Sequence, residues 1–389
     1  MRVEELTRIP ADVQDALISI LSEKIHDNRF LRLMRNMLNA GYLQDWVWNA
    51  TLSGVPQGGV VSPVLSNIYL HRLDEFVETV LIPEYTRGRI RRQNTDYTRV
   101  QGAIQRARKR GDRATARHLR QQLRGMPSGD PGDPGFRRLR YARYADDTLL
   151  GFTGPKAEAE QIKQRLARFL RDDLKLELSE DKTLITHART GAAKFLGYEI
   201  TVHHNDRKVT RGRRSTNGVV GLRVPTAVIK AKCAPYLTRG KPERRPQLIN
   251  EGDHTIVSTY GAEYRGIVQY YLLAGNVDRL YRLHWVMETS LLKTLANKYR
   301  SSVSTMARTY KTTIDTPHGP RRCVEAKVER SGRKPLVARF GGIPLRRQKE
   351  AVVTEVTGDG VTMRPAGVDE RPDHGHVRGG EHHRRGRRG

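Results

Sequence analysis

The stretch that most constrains this sequence is residues 140–152, where two adjacent carboxylates, Asp146 and Asp147, separate two short runs of aromatic and aliphatic residues. Such runs favour β-strands, and the residues between them favour a tight turn. An Asp in a turn is ordinary, because its side chain can bond its own backbone. Two Asp at a hairpin tip also present hard oxygen ligands that suit Mg²⁺. The stretch alone therefore fits either a solvated turn or a metal-binding hairpin.

The charge of the chain narrows its possible partners. Its 389 residues include 70 Lys and Arg against 42 Asp and Glu, a formal net charge of +28. A charge this large favours a polyanionic partner, above all nucleic acid.

The two cysteines are far apart, which excludes a disulfide framework and a Cys-based zinc site and fits a reducing, intracellular setting. No apolar run approaches the roughly 20 residues of a membrane span, and no signal peptide is visible.

The order of predicted elements indicates an α+β fold. Apolar residues at helical spacing alternate with short β-type runs, which predicts a mostly antiparallel sheet with helices on one face. Ser62 and Pro63 are predicted as the N-cap and first residue of a helix. The predicted elements are helices within residues 1–50, a Gly-rich loop at 51–61, a helix from 62, a helix at 155–173, and strands at 174–178, 183–186 and 195–200.

An arginine-rich insertion precedes the paired carboxylates. Residues 84–143 contain 17 Lys and Arg against five Asp and Glu. Two short helices broken at Gly111 and Asp112 are expected there, followed by a turn-rich linker at 128–135. A solvated helical hairpin would explain this pattern, but the excess of positive charge favours a surface that faces phosphates.

The second half of the chain combines aromatic and cationic residues. Residues 201–253 are basic and irregular, whereas residues 253–310 are helical by pattern, with Tyr270 and Trp285 expected in the core. Aromatic side chains interleaved with Arg and Lys can bind RNA by stacking and phosphate pairing. The alternative is a helical bundle with solvated basic faces. A strand-and-turn extension is expected at 311–348.

Four motifs in a fixed order resemble the reverse transcriptase family, and more narrowly the reverse transcriptase–maturases of bacterial group II introns. They are residues 53–63 (SGVPQGGVVSP), 144–147 (YADD), 178–183 (LSEDKT) and 195–198 (FLGY). Each motif alone is weak, but their common order and spacing are specific. Further along, residues 263–271 and 293–296 resemble the maturase-specific thumb, so that the resemblance covers about residues 12–350.

The resemblance implies a right-hand polymerase, with an antiparallel palm followed by an α-helical thumb. The implied activity is RNA-directed DNA polymerisation that copies intron RNA, together with help in intron splicing; the alternative is a non-catalytic, intron-RNA-binding maturase. The implied partners are group II intron RNA, an RNA template with a DNA primer, and dNTPs, in the bacterial cytoplasm and without a membrane. The implied domains are 1–200 (partial fingers and palm, with the insertion at 84–138), 201–253 (basic linker), 254–348 (thumb with a short extension) and 349–389 (disordered basic tail).

The resemblance also assigns roles to individual residues. Asp146 and Asp147 would hold Mg²⁺ in a two-metal site, and Lys182 would protonate or neutralise the leaving pyrophosphate. The remaining assignments are Pro56, Gln57, Gly58 and Tyr144 for nucleotide and template, Phe195, Leu196, Gly197 and Tyr198 for the primer end, and Arg108, Lys109, Arg110, Arg265, Arg282, Lys293 and Lys298 for RNA.

The sequence departs from the family pattern at both ends. The family's upstream palm Asp would fall near Glu4 or Glu5, where no strand of the expected type is visible. The Mg²⁺ site is therefore expected to be incomplete and the chain truncated or misannotated at its start, unless Glu4 or Glu5 substitutes. Residues 335–345 resemble the segment that leads to an HNH endonuclease in some members. The tail lacks the Cys pairs of that zinc domain, so no endonuclease is expected.

Overall fold

A computed structural model describes residues 11–40, 42–44, 47–49, 61–205, 208–210, 213–214, 216–349, 352–357 and 360–365. The chain divides into two compact units, residues 1–222 and 223–389. The predicted linker at 201–253 is divided between them. Within the described ranges, no helix is long and apolar enough to cross a membrane.

The first unit mixes helices with short strands. Its helices are α1 (Ala11–Ser22), α2 (Asn28–Asn39), α3 (Ser62–Phe76), α4 (Ile82–Glu84), α5 (Thr95–Lys109), α6 (Arg113–Gly125) and α7 (Lys156–Asp172), with a π-helical segment Val77–Leu81 joining α3 to α4. Its strands are β1 (Tyr42–Gln44), β2 (Val47–Asn49), β3 (Arg138–Tyr144), β4 (Asp147–Thr153), β5 (Ala193–Phe195), β6 (Tyr198–Val202), β7 (Val209–Thr210), β8 (Arg213–Arg214) and β9 (Val220–Arg223).

Helix α3 lies at the centre of the first unit's core. Leu70 and Leu73 of α3 are fully buried with Leu139 of β3 and Leu166 of α7, as amphipathic helices require. The ring of Phe76 stacks on that of Phe169 with centroids 4.1 Å apart. Helix α3 therefore contacts elements on both sides of the paired carboxylates.

The mixed α+β composition is confirmed, but the strands of the predicted sheet are divided between separate small sheets. Strands β3 and β4 form a two-stranded sheet, and β5, β6 and β9 form a separate three-stranded one. The helices within residues 11–39 are confirmed, whereas β1 and β2, within the stretch predicted as helix, pair antiparallel with each other. Aromatic and β-branched residues at Tyr42, Val47 and Trp48 favour that outcome.

The predicted strands at 174–178 and 183–186 are wrong. The segment after α7 instead folds back on the helix, with the Leu176 N–H donating to the Leu170 carbonyl at 2.8 Å. The buried Tyr69 hydroxyl donates to the Leu174 carbonyl at 2.7 Å. Leu174 and Leu176 are both buried, so their alternation reflects a chain reversal against the core and not a sheet edge. Helix α3 also begins one residue earlier than expected, with Val61 and not Ser62 at the cap position.

The second unit is a helical bundle with a packed sheet. Its helices are α8 (Thr226–Cys233), α9 (Asp253–Tyr271), α10 (Tyr281–Lys298) and α11 (Val303–Tyr310), with 3₁₀ turns at Ala234–Tyr236, Pro246–Leu248 and Val277–Leu280. Its strands are β10 (Leu237–Thr238), β11 (Lys241–Pro242), β12 (Lys311–Thr316), β13 (Gly319–Arg330), β14 (Arg333–Gly341), β15 (Val352–Thr357) and β16 (Gly360–Pro365).

The strand-rich extension is confirmed and packs directly on α9. Strands β12, β13 and β14 form an antiparallel sheet. A Cβ added at Gly261 of α9 would lie 2.2 Å from the Arg339 carbonyl oxygen of β14, so only glycine permits this approach. In the predicted disordered tail, β15 and β16 pair as a hairpin, a correction that the β-branched Val352, Val353 and Val356 explain.

Candidate functional site

The paired carboxylates lie at the tip of a β-hairpin with a two-residue turn, as the sequence predicts. Strands β3 and β4 pair antiparallel up to Tyr144 opposite Asp147, which leaves Ala145 and Asp146 as the turn. Ala145 has a φ of 51°. A positive φ at the first turn residue is what the hairpin turns that match strand twist require. The carboxylate pair is thus presented by a short, defined turn.

A polar cluster ties this hairpin to α3. The Arg143 guanidinium donates from Nε and Nη2 to the two oxygens of Asp74, at 2.8 and 2.6 Å. The Tyr141 hydroxyl donates to the same Asp74 carboxylate at 2.8 Å. Arg143 Nη1 donates to the Ala145 carbonyl at 2.8 Å and to Asn67 Oδ1 at 3.1 Å. The Arg143 guanidinium therefore connects both the strand and the turn backbone to the helix. We call this cluster the hairpin clamp; its residues are Asn67, Asp74, Tyr141 and Arg143.

The hairpin clamp is partly removed from solvent, and its groups perturb one another. The side chain of Arg143 is 10% exposed and that of Asp74 is 23% exposed. Burial raises the pKa of Asp74, but hydrogen bonds from Arg143 and Tyr141 outweigh it, so that the pKa lies below the ordinary value. Burial and the bond to Asp74 raise the pKa of the Tyr141 phenol. The clamp is thus a charged pair with a neutral tyrosine at neutral pH.

The donor chemistry at the hairpin tip fits a magnesium ion. Mg²⁺ is usually bound by one or two carboxylates together with waters and substrate phosphates. Asp146 and Asp147 supply two carboxylates. In the described part of the chain, no group of three His, Cys, Asp or Glu is placed to hold a metal.

The other residues assigned to chemistry take different positions. Tyr144 is 67% exposed at the hairpin tip. Lys182 is exposed in a turn, and Lys163 of α7 donates to the carbonyl of the adjacent Thr183 at 2.8 Å. Pro56, Gln57 and Gly58 lie outside the described residues, as do Glu4 and Glu5. The roles of all these residues stay predictions.

The motif at residues 195–198 is a second hairpin tip instead of one continuous strand. Phe195 pairs with Tyr198, and the turn residues Leu196 and Gly197 have φ angles of 47° and 70°. Two positive φ angles define a type I′ turn, which explains why the strand breaks there. Strand β5 of this hairpin contacts β4, so the two hairpins are neighbours in the first unit.

The residues assigned to RNA binding fall into two groups. Arg108, Lys109 and Arg110 are exposed at the end of α5, and Arg265 and Arg282 are exposed on α9 and α10. The Lys293 ammonium instead donates to the Pro242 carbonyl at 2.7 Å, and that of Lys298 donates to Asp253 at 2.7 Å. These two lysines hold neighbouring segments together, and any RNA contact from them stays a prediction.

The first turns of α10 carry exposed aromatic residues. Tyr281 and Trp285 are 66% and 51% exposed, and four residues apart they lie on one helix face, with Arg282 exposed beside them. The expectation that Trp285 and Tyr270 belong to the core is wrong, since Tyr270 is also exposed. Helical spacing identifies a face but not whether another element covers it. We call Tyr281, Arg282 and Trp285 the α10 patch.

Sequence reasoning also missed the hairpin clamp. Asp74 and Arg143 are 69 residues apart in sequence, and nothing in either local pattern pairs them. The only local signal was that Asp74 and Asn67 occupy a helix whose apolar face is otherwise regular. An amphipathic helix carries polar residues on its solvent side, so the charge of Asp74 did not indicate a buried partner.

The strained turn allows a direct test of the hairpin geometry. A non-glycine residue in the left-handed region costs about 1–2 kcal/mol, so Ala145→Gly is expected to raise the free energy of unfolding by up to about 1 kcal/mol after the entropic cost of glycine. Urea unfolding measures this change. The matched control is Ala142→Gly in the interior of β3, which should lower stability by roughly 0.5–1 kcal/mol. A loss of stability at both positions would contradict the positive φ at Ala145.

Comparison with known proteins adds a family model and several relatives. A model described as type II intron maturase matches residues 224–316, from the start of the second unit to β12. The group II intron-encoded protein LtrA of Lactococcus lactis subsp. cremoris is 33% identical over 308 residues, which cover 74% of this chain and 51% of that protein.

Two yeast proteins are similar over the same extent. The putative COX1/OXI3 intron 1 protein of Saccharomyces cerevisiae is 33% identical over 315 residues, 76% of this chain and 37% of that protein. The putative COX1/OXI3 intron 2 protein of the same yeast is 31% identical over 301 residues, which cover 73% of this chain and 35% of that protein. The chain thus spans about half of the length of the first of these curated relatives and about a third of the other two.

Proposed function

This chain belongs to the group II intron maturase family, and from that membership we propose that it binds a structured intron RNA and assists its splicing. The observation that carries the proposal is the match of residues 224–316 to the maturase model. The α10 patch lies within that segment. The net charge of +28 supports the same kind of partner.

The α10 patch has the chemistry to hold unpaired bases. Exposed aromatic rings stack on bases, each stack contributing about 1–3 kcal/mol by alanine substitution. The Tyr281 ring is backed by the His284 ring, with centroids 6.1 Å apart and planes 15° apart, which limits its rotation. Arg282 can pair with a phosphate next to a stacked base. Splicing assistance would follow from stabilising one folded form of the RNA, because a ligand that binds one state shifts the population towards it.

Truncating the α10 patch tests this proposal. The double variant Tyr281→Ala, Trp285→Ala is expected to weaken binding of intron RNA at least about tenfold, since two stacks of about 1–3 kcal/mol each are lost. The measurement is a filter-binding titration at one fixed salt concentration, with the splicing rate followed at subsaturating protein. The matched control is Leu336→Ala, Val337→Ala, which removes exposed apolar side chains of β14 in the same unit. Equal affinity of both variants and the parent would overturn the role of the patch.

A second candidate activity is RNA-directed DNA polymerisation, which the Asp146–Asp147 hairpin favours. Bound Mg²⁺ would be held by these two carboxylates and would supply charge neutralisation at the transferred phosphoryl group. The hairpin clamp fixes the turn that presents the carboxylates, so that their placement costs no rearrangement when substrate arrives. The Tyr144 ring, exposed beside them, can face a nucleotide. Primer extension on an RNA template separates this candidate from a purely RNA-binding maturase.

A further inference from the structure

Helix α6 carries a row of four arginines on one face. Arg113, Arg117, Arg120 and Arg124 are spaced four, three and four residues apart. At about 100° per residue, these positions fall within roughly 60° of the helix circumference and extend about 16 Å along its axis. We call these four residues the α6 arginine row.

The α6 arginine row has no acidic partner in the described part of the chain. All four side chains are exposed, α6 itself contains no Asp or Glu, and no ion pair among the described residues includes any of the four. Like charges three or four residues apart destabilise a helix by about 0.2–0.5 kcal/mol per pair. The row therefore lowers the stability of α6 in the isolated protein, and a bound polyanion would offset this repulsion.

The helix that carries the row is held in a fixed hairpin with α5. Ile104 and Ala107 of α5 are buried with Ala116 of α6. Between the helices Gly111 adopts a φ of 74°, and the Asp112 N–H donates to the Ala107 carbonyl at 2.9 Å, which is a Schellman ending. The Asp112 side chain then accepts from the Thr115 N–H at 3.0 Å and caps α6. The predicted helix break at 111–112 is confirmed, and it leaves little freedom between the two helices.

The base of this hairpin is also fixed to the first unit. The Arg87 and Arg137 backbones exchange hydrogen bonds of 3.1 and 3.0 Å, and Asp133 accepts from the Arg92 N–H at 2.7 Å. A Cβ at Gly88 would lie 2.3 Å from the Gly135 carbonyl oxygen, so the two crossing segments are in close contact. The predicted turn-rich linker is thus an ordered neck, and a rigid neck lowers the ordering cost of binding.

From this placement we propose that the α6 arginine row binds the phosphate backbone of double-stranded RNA. Proteins that bind single strands add aromatic side chains for base stacking, and α6 has no Phe, Tyr or Trp. Duplex RNA is recognised mainly by shape and by backbone contacts. A duplex carries about one charge per 1.7 Å of axis in the DNA case, so a 16 Å row meets several phosphates. The inference deepens the proposed intron-RNA binding and depends on it.

The test uses the full chain and two RNA probes. The row variant changes Arg113, Arg117, Arg120 and Arg124 to Gln. The matched control removes the same number of charges from exposed positions of the same unit to which no RNA contact is assigned, at Lys24, Arg29, Arg32 and Arg35 on or just before α2. The probes are an RNA duplex of about 20 base pairs and arbitrary sequence, longer than the ~16 base pairs that one duplex-binding module spans, and one of its strands alone. Binding is measured from 50 to 200 mM salt.

The row variant is expected to lose about ten- to a hundredfold in duplex affinity at 0.1 M salt. The slope of log affinity against log salt concentration should become less negative by about 3–4, because each of the four lost phosphate contacts contributes about 0.9 to that slope. The control should lose clearly less, and the single strand should change by less than about threefold. A variant with Lys at all four positions should recover most of the slope, because it keeps the charges; circular dichroism establishes that each variant folds.

The proposal is overturned if the control weakens duplex binding as much as the row variant, or if single-strand binding falls equally. It is also overturned if the parent chain binds intron RNA but no duplex. Failure of the proposed function looks different: the parent would then bind neither intron RNA nor either probe.

Discussion

Replacing both Asp146 and Asp147 with Asn is expected to lower primer extension on an RNA template by about 10³-fold or more. The reason is that a bound metal supplies several kcal/mol of transition-state charge stabilisation, and each 1.36 kcal/mol is tenfold in rate. The neutral amides keep the size of the side chains but not the charge that holds the cation. Extension is measured in Mg²⁺ with a DNA primer annealed to RNA, and RNA binding is measured in parallel and should not change.

The chain contains a matched control for this experiment. Asp172 and Asp173 are a second adjacent Asp pair, exposed at the end of α7, where Asp172 forms an ion pair with Arg171 at 2.8 Å. Changing that pair to Asn removes the same two charges and should leave extension unchanged. Extension that survives the Asp146 and Asp147 changes would place polymerase chemistry elsewhere. A parent chain that binds intron RNA with a steep salt dependence but extends no primer would leave the maturase proposal standing alone.

Asp74→Ala is expected to lower the free energy of unfolding of the first unit by about 2–3 kcal/mol. Removing one member of a buried ion pair costs about 3–5 kcal/mol because the other charge remains buried without compensation. The figure is reduced here because the Asp74 side chain is 23% exposed. The variant should also speed hydrogen exchange of the β3–β4 amides, since Arg143 would no longer fix the hairpin to α3. Urea unfolding and hydrogen exchange measure the two effects.

Asp96→Ala is the control for the loss of an ion pair as such. Asp96 pairs with Arg99 at 2.9 Å, but the two side chains are 61% and 76% exposed, and exposed pairs contribute about 0–1 kcal/mol. If Asp74→Ala lowers the free energy of unfolding no more than Asp96→Ala does, the stabilising role of the hairpin clamp is contradicted. The same conclusion follows if the hydrogen-exchange rates of the hairpin amides are unchanged in the Asp74 variant.

The pH dependence of the clamp has a definite sign. Since the pKa of Asp74 is lower in the folded chain than its ordinary value of 3.8, the folded state favours the ionised form. Its contribution to stability is complete above that ordinary value and is lost as the pH falls from about 3.8 towards the folded-state pKa. The stability difference between the parent and Asp74→Ala should therefore be constant near neutral pH and shrink below about pH 4.

The sequence by itself determined the features that depend on near neighbours. The hairpin around Asp146 follows from strand-forming residues on both sides of a short turn, the break between α5 and α6 from Gly111 beside Asp112, and α7 from apolar residues at helical spacing. Each of these needs only contacts within a few residues, so local pattern was sufficient. The order of four such motifs also pointed to the family that the comparisons support.

Only the tertiary structure decided which faces are covered and which distant residues meet. The alternating leucines after α7 are buried by a chain reversal and not by a sheet, and Trp285 is exposed although its spacing matches a core position. Asp74 and Arg143 meet across 69 residues, a pairing that depends on how α3 packs against β3. The physical reason is that periodicity marks a side of an element, whereas burial and pairing depend on what the rest of the chain places against that side.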